Sequence, residues 1–185
     1  MTLASYISCS RMVLIVPIIY LLDLGWRAEG PSLYNYFACI LFVVAGLTDY
    51  LDGYIARKTD TETQLGALLD LIADKLLVSL VMMWIVFLTY DPFIAIAALI
   101  IVSRELVIST LRQYVIEKKV TKNLSVSFIG KSKTTIQIIA ISTLILAQEI
   151  MGIYTLALIA IWFAAVFSLY SLFMYVSEWF KHYLN

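Results

Sequence analysis

The sequence has few side chains that bind metals through nitrogen or sulfur. Its 185 residues include one histidine, His182, and two cysteines, Cys9 and Cys39. Each cysteine lies inside an apolar run, and the sequence has neither a C-x-x-C motif nor a cluster of cysteine with histidine, so we interpret both as small buried apolar residues. His182 lies close to the C-terminus and is interpreted as a surface residue. We therefore expect neither histidine-based catalysis nor metal ligation by histidine.

The chain also lacks an excess of charge of either sign. It has 13 lysines and arginines against 13 aspartates and glutamates, so its formal net charge is zero. The overall charge therefore gives no indication of a nucleic-acid partner, and none is expected. No linker, repeat or low-complexity tract divides the sequence, so residues 1–185 are interpreted as a single domain.

Apolar side chains, in contrast, are abundant. Hydrophobic residues make up 62% of the sequence and the mean hydropathy is +0.92, whereas an ordinary soluble domain is about 45–50% apolar. A soluble fold of this size cannot hide so much apolar surface from water. We therefore expect lipid to be the solvent around most of the chain.

Six mostly apolar segments have the length of a membrane-spanning helix, which needs roughly 20 residues. They are too long and too uniformly apolar for barrel strands, and helices satisfy their own backbone hydrogen bonds in lipid. No A-x-A site follows the first segment, so we expect a retained membrane helix and not a cleaved signal peptide. Gly25, Gly30 and Pro31 are interpreted as turn residues between the first two segments. The segments comprise residues 5–22, 33–57, 65–89, 92–116, 131–150 and 153–180.

The basic residues lie almost entirely on one side of this six-helix arrangement. Arg27 is the exception, and it shares the other side with Asp23, Glu29, Asp91 and Glu149. Because the cytoplasmic loops of membrane proteins are enriched in lysine and arginine, we expect both termini to be cytoplasmic. The basic residues toward that side are Arg11, Arg57, Lys58, Lys75, Arg104, Arg112, Lys118, Lys119, Lys122, Lys131, Lys133 and Lys181.

Acidic side chains interrupt the apolar pattern where the second predicted helix ends and the third begins. Asp49 and Asp52 are three residues apart, and this spacing places both on one helix face. Asp70 and Asp74 are four residues apart and likewise share a face. The short connection predicts that the two helices are antiparallel neighbours, so all four carboxylates are expected to converge. Acids inside a membrane are functional by default.

Four carboxylates this close together in a medium of low dielectric must be protonated, paired or bound to metal. Two divalent cations would balance their charge, and hard carboxylate oxygens favour Mg²⁺ or Mn²⁺ over zinc. Two such ions stabilise both the attacking and the leaving oxygen in a phosphoryl displacement. The sequence therefore predicts an all-α membrane protein with six transmembrane helices and a polar metal-binding cavity at the cytoplasmic side.

Small residues and an arginine accompany the aspartates. Gly53, Ala56 and Gly66 leave room for a large ligand, and Arg57 offers a planar fork for a phosphate group. Close packing between helices, which small residues permit in membranes, explains the two glycines and Ala56 equally well. The residues alone leave both interpretations open.

Together these positions form the pattern D-x2-D-G-x2-A-R-x8-G-x3-D-x3-D between Asp49 and Asp74. The pattern resembles the signature of the CDP-alcohol phosphotransferases, and every defined position is filled. The resemblance implies transfer of a phosphatidyl or similar group from a CDP-linked donor to an alcohol, with release of CMP. It implies that the aspartates hold two metal ions, that Asp74 is the general base, and that the protein is a homodimer. The CDP site that it implies consists of Asp49, Asp52, Gly53, Ala56, Arg57 and Gly66.

A second set of basic residues is a candidate site for the acceptor. Arg104 and Arg112 are eight residues apart and lie on roughly the same face of the fourth helix. Lys131 and Lys133 begin the fifth helix, and convergence of all four near the metals would create a site for a phosphate monoester. The alternative is that Arg104 pairs with Glu105 or another acid, and that the lysines belong to a cytoplasmic surface facing anionic lipid head groups.

The segments around these basic residues resemble the bacterial phosphatidylglycerophosphate synthases. The resemblance rests on S-C-S-R at residues 8–11, S-R-E-L at 103–106 and I-G-K-S-K at 129–133. It implies CDP-diacylglycerol as donor and sn-glycerol 3-phosphate as acceptor, in the bacterial inner membrane. Inositol phosphate, phosphatidylglycerol and serine are alternative acceptors, and the basic set argues against serine. A cation transporter and a structural scaffold are alternatives of another class, but neither explains the fixed spacing of the signature.

Overall fold

The computed structural model describes residues 3–28, 30–59, 64–117, 127–150 and 152–183, and every regular element in these ranges is an α-helix. Each predicted segment corresponds to one helix, with boundaries that differ by up to five residues. The helices are α1 (Leu3–Arg27), α2 (Leu33–Thr59), α3 (Gln64–Thr89), α4 (Pro92–Glu117), α5 (Ser127–Leu146) and α6 (Ile153–Tyr183). Side chains are described for residues 9–28, 30–48, 69, 72–111, 113, 133–150, 152–177 and 179–180.

Within the described residues, four helices are long and apolar enough to cross a membrane, so the chain is an integral membrane protein. Over their described side chains, the apolar parts of α2 and α5 are shorter than those of the other four helices. The all-α prediction is confirmed, and spanning by α2 and α5 stays a prediction. The four candidate spans are Cys9–Arg27, Ile72–Thr89, Pro92–Leu111 and Ile153–Ser177, and the shorter apolar helices are Leu33–Thr48 and Lys133–Leu146.

Helix α1 shows how apolar residues occupy both the interior and the outside of the bundle. Ile15, Ile18 and Leu22 are buried in the core, at the three- and four-residue spacing of one helix face. Val13 and Val16 lie on the other face, and each is 70% exposed. Every helix exposes large apolar side chains in this way, as expected where hydrocarbon and not water surrounds the protein.

The helices pack in a definite order around a shared core. Helix α1 packs against both α2 and α3, whereas α2 and α3 have few direct contacts with each other over the described residues. Helix α6 packs against α4 and α5, and α5 also packs against α2. The contact of α2 with α5 is close at Gly46, where an added Cβ would lie 2.7 Å from Cδ1 of Ile138. A glycine permits this approach of the two helices.

The turn between α3 and α4 is formed by three residues with separate roles. Tyr90 has a φ of 50°, and its N–H donates to the Val86 carbonyl at 3.1 Å, which ends α3 with a left-handed residue. Asp91 accepts a hydrogen bond of 2.7 Å from the Phe93 N–H and thus caps α4, which begins at Pro92. A hydrogen bond from the Tyr154 hydroxyl lowers the pKa of the Asp91 carboxyl from its ordinary value. The carboxylate therefore stays ionised at the positive end of α4.

A buried polar cluster joins the start of α2 to the segment after α5, beside the end of α1. We call this end of the bundle the opposite end, because it lies at the other end of α2 from the signature aspartates (residues 27, 28, 30–33, 89–92, 146–150, 152 and 153). Glu149 accepts hydrogen bonds from the Ser32 N–H at 2.5 Å and from Asn35 Nδ2 at 2.6 Å. Asn35 is almost completely buried. The prediction that the fifth helix extends to residue 150 is wrong, since α5 ends at Leu146 and the following turn brings Glu149 to the start of α2.

The prediction that Gly25 is a turn residue is also wrong. Helix α1 continues to Arg27, and an ion pair of 2.8 Å between Arg27 and Asp23 supports its last turn. A Cβ at Gly25 would overlap the side chain of Asn35, so the glycine makes room for the polar cluster. Gly30 does lie in the connection and has a φ of 131°, a conformation that favours glycine.

Candidate active site

The predicted metal and CDP residues lie at the end of α2 and the start of α3, which we call the aspartate end (residues 49–59 and 64–74). The helical backbone confirms that Asp49 and Asp52, and likewise Asp70 and Asp74, are separated by helical spacings. Asp74 is half-buried, and it is the signature residue whose side chain the structure describes. The side chains of Asp49, Asp52, Gly53, Ala56, Arg57, Gly66 and Asp70 lie outside the described residues.

Arg104 is buried in the middle of the bundle and is held by α6. Its Nε donates to the Ser168 carbonyl at 3.1 Å, and its Nη2 donates to Ser171 Oγ at 2.6 Å. The Glu105 carboxylate lies 3.8 Å from Nη1, which is a weaker contact than either bond to α6. The alternative interpretation that Arg104 pairs with Glu105 is thus confirmed, and α6 adds two hydrogen bonds to the same guanidinium group.

Lys133 is also buried, and its ammonium group contacts the Glu105 carboxylate directly. The same carboxylate oxygen, Oε1, lies 3.4 Å from Nε2 of Gln137, which is one helical turn beyond Lys133 on α5. Glu105 thus joins α4 to α5 at two positions. A buried ammonium requires such a partner, since an isolated charge in the interior is costly.

The charges of three helices meet at Lys133. Arg104 on α4 and Asp74 and Lys75 on α3 all act electrostatically on its ammonium group, in addition to the contact with Glu105. The structure therefore brings two of the predicted acceptor residues, Arg104 and Lys133, to the same region as one of the predicted metal ligands, Asp74. The side chains of Arg112 and Lys131 lie outside the described residues.

Some residues of this region were not among the predicted site residues. Glu105 contacts Lys133, and Gln137 contacts Glu105. The sequence contained a signal for Glu105, because it is an acid inside a predicted membrane helix. Arg11 is 1% exposed and is the largest fully buried side chain of the described residues. It lies on α1, which packs against both helices of the signature. From the sequence, Arg11 was assigned to the basic residues toward the cytoplasm and to the S-C-S-R segment, but not to the site.

The described residues thus form a helical membrane protein with buried acids and bases on several helices, and such charges inside a membrane are typical of proteins with a functional polar site. The chain belongs to the CDP-alcohol phosphatidyltransferase family, whose model matches residues 1–170. It is therefore a transferase of phospholipid biosynthesis embedded in a membrane. Members of this family generally use divalent metals.

Two relatives show how similar the chain is to individual family members. It is 38% identical over 141 residues to the CDP-diacylglycerol–glycerol-3-phosphate 3-phosphatidyltransferase of Escherichia coli strain K12, a match that covers 76% of each chain. It is 33% identical over 169 residues to the protein with the same name from Salmonella choleraesuis, and this match covers 89% of the chain and 88% of the relative. The suspected family is confirmed.

Proposed function

We propose that the protein transfers the phosphatidyl group of CDP-diacylglycerol to sn-glycerol 3-phosphate, giving phosphatidylglycerophosphate and CMP. Two similar relatives carry the name of this activity. The structural observation that supports the proposal is that Arg104 and Lys133 are both buried, and that the charges of Arg104 and Asp74 both act on the Lys133 ammonium group. A phosphorylated acceptor needs cations for its phosphate and an acid–base group for its hydroxyl, and these residues supply both.

The donor set at the aspartate end fits hard divalent cations. Asp49, Asp52, Asp70 and Asp74 offer only carboxylate oxygens, which are the ligands that Mg²⁺ and Mn²⁺ prefer. We assign all four aspartates as ligands of two such ions. When bound, the ions supply positive charge that offsets the charge on CMP as it leaves.

The remaining signature residues form the proposed site for the CDP moiety. Gly53, Ala56 and Gly66 leave space beside the aspartates for the nucleotide, and Arg57 binds a phosphate oxygen of the donor. Asp49 and Asp52 border the same space from α2. The diacylglycerol tails of the donor remain in the surrounding lipid, because the helices expose apolar side chains to it.

Asp74 is the proposed general base. It accepts the proton of the acceptor hydroxyl, whose oxygen forms a bond to the β-phosphorus of the donor. The bond between that phosphorus and the bridging oxygen breaks, and the oxygen leaves with CMP. Since the protein contributes no covalent intermediate, its main contribution is to hold donor and acceptor in line.

The proposed acceptor site consists of four basic side chains around the phosphate of sn-glycerol 3-phosphate. Arg104 and Arg112 approach it from α4, and Lys131 and Lys133 from α5. Arg104 and Lys133 are buried, so their charges act in a region of low dielectric. We further propose that six helices span the bacterial inner membrane, that both termini and the site are cytoplasmic, and that the single-domain protein is a homodimer.

A direct assay of acceptor choice tests this function. Purified protein in detergent is incubated with CDP-diacylglycerol, Mg²⁺ and one acceptor at a time, and CMP release is measured. We expect release with sn-glycerol 3-phosphate and much less with inositol phosphate, phosphatidylglycerol or serine. Release with inositol phosphate but not with sn-glycerol 3-phosphate would contradict the proposed acceptor, and absence of CMP with every acceptor would contradict the proposed chemistry.

A further inference from the structure

Two acids compete for the ammonium group of Lys133. Glu105 on α4 contacts it directly, and Asp74 on α3 attracts it through space. The two cations that act on it, Arg104 and Lys75, repel it. The position of the ammonium group therefore depends on which of the two carboxylates, that of Glu105 or that of Asp74, it contacts.

Two further side chains, one on α5 and one on α4 itself, lie close to the Glu105 carboxylate. Gln137 lies on the same face of α5 as Lys133, and its Nε2 is 3.4 Å from Glu105 Oε1. On the other side, Arg104 lies 3.8 Å from Glu105 Oε2 and is itself bonded to α6. Each oxygen of the carboxylate that contacts Lys133 thus also lies close to a second side chain.

We propose that Glu105 is a positioning residue for the acceptor site: it holds the Lys133 ammonium group beside α4, where it meets the acceptor's phosphate, and away from Asp74. This inference rests on the proposed function, because it assigns Lys133 to the acceptor's phosphate and Asp74 to the reaction. Glu105 itself does not touch the substrate.

Two opposing effects of removing Glu105 can be compared. Loss of its negative charge strengthens the attraction of the site for an anionic phosphate. The same loss leaves a buried ammonium group under the influence of two other cations, Arg104 and Lys75, and of the Asp74 carboxylate. The second effect is larger, because an unpartnered buried charge moves to another partner or loses its proton. Removal of Glu105 therefore weakens binding of the acceptor.

The test is a double-mutant cycle on the full-length protein with Glu105→Ala, Lys133→Ala and the double variant. We expect Glu105→Ala to raise the KM for sn-glycerol 3-phosphate by about tenfold or more, as for loss of a hydrogen bond to a charged group. The KM for CDP-diacylglycerol should change by less than about twofold. The KM for sn-glycerol 3-phosphate should be no higher in the double variant than in Lys133→Ala alone, because Glu105 acts through Lys133.

Two further variants keep the result interpretable. Glu105→Gln retains the shape and an acceptor oxygen, so it should fold even if the alanine variant does not, and should raise the same KM by a smaller factor. Ser109→Ala on the same helix, where the hydroxyl bonds to the Leu106 carbonyl, is the matched control and should leave both KM values unchanged.

The outcomes separate this inference from the proposed function. Normal turnover of the wild-type protein, with an unchanged acceptor KM in both Glu105 variants, would overturn the role of Glu105 alone. Equal rises in the KM values of donor and acceptor, or effects of Glu105 and Lys133 that multiply in the double variant, would do so as well. A wild-type protein that releases no CMP with any phosphorylated acceptor would overturn both.

Discussion

Arg104 donates a hydrogen bond of 2.6 Å from Nη2 to Oγ of Ser171, and this bond fastens α4 to α6 in the interior of the bundle. A second bond, from Nε to the Ser168 carbonyl, fixes the plane of the guanidinium group. Both serines are almost completely buried. The long helix α6 therefore acts as a support for a cation that lies within electrostatic range of Lys133.

The bond to Ser171 should contribute measurably to stability. A hydrogen bond between neutral side chains in a membrane protein contributes about 0.6 kcal/mol on average, but a charged donor raises the value to about 1.5–3 kcal/mol. We expect Ser171→Ala to lower the free energy of unfolding by about 1–2 kcal/mol, seen as a lower Tm in detergent. The control is Ser177→Ala on the same helix, whose hydroxyl bonds to the Met174 carbonyl. Equal Tm values for the two variants would contradict the prediction.

Replacement of single aspartates of the signature should abolish turnover. Asp49→Asn, Asp70→Asn and Asp74→Asn each remove a carboxylate that the proposed ions and the proposed base require. We expect CMP release to fall by at least about a hundredfold in each variant, and EDTA to have the same effect on the wild-type protein until Mg²⁺ is restored. Asp23→Asn at the opposite end, where Asp23 pairs with Arg27, is the control. Activity of the wild-type protein in EDTA would show that no divalent ion is needed.

Arg112 should act on the acceptor and not on the donor. The proposed role is a charge-assisted contact with the acceptor's phosphate, so Arg112→Ala should raise the KM for sn-glycerol 3-phosphate by about tenfold. The KM for CDP-diacylglycerol should stay within about twofold. Steady-state measurement of CMP release against each substrate separates the two constants, and Arg27→Ala serves as a control for loss of a distant arginine. An unchanged acceptor KM in Arg112→Ala would remove this residue from the site.

Two glycines inside helices should respond differently to the same substitution. A Cβ at Gly25 overlaps Asn35, whose side chain is fixed by hydrogen bonds to Glu149 and Gln148. A Cβ at Gly46 meets the terminal Cδ1 of Ile138, a side chain that can rotate. We expect Gly25→Ala to cost about 1–3 kcal/mol, the usual range for overpacking, and Gly46→Ala to cost less.

Thermal unfolding of both glycine variants in the same detergent checks this order. A lower Tm for Gly46→Ala than for Gly25→Ala would contradict the prediction. It would mean that the polar cluster accommodates an added methyl group at a lower cost in stability than the contact between α2 and α5 does. The order expected here follows from hydrogen bonding, because Asn35 would have to break bonds in order to move.

The polar residues outside the signature were the hardest to interpret from the sequence. Glu149 was counted only as an acid on one side of the membrane, and its bonds to Ser32 and Asn35 join segments more than a hundred residues apart. Glu105 was expected to pair with its neighbour Arg104, and the structure adds a direct contact with Lys133 on another helix. Such pairings depend on which helices become neighbours, and local patterns do not contain that information.

The sequence by itself determined that the chain is helical and suited to lipid, because apolar runs and backbone hydrogen bonding in hydrocarbon depend only on local composition. It also determined that the acids of the signature lie in pairs on shared helix faces, since their spacing within each pair is helical. Only the tertiary structure decided that Arg104 is held by α6 and that Lys133 meets Glu105 within reach of Asp74. The physical reason is that buried charges take partners from whichever helix packs against them, and that choice is made by the whole bundle.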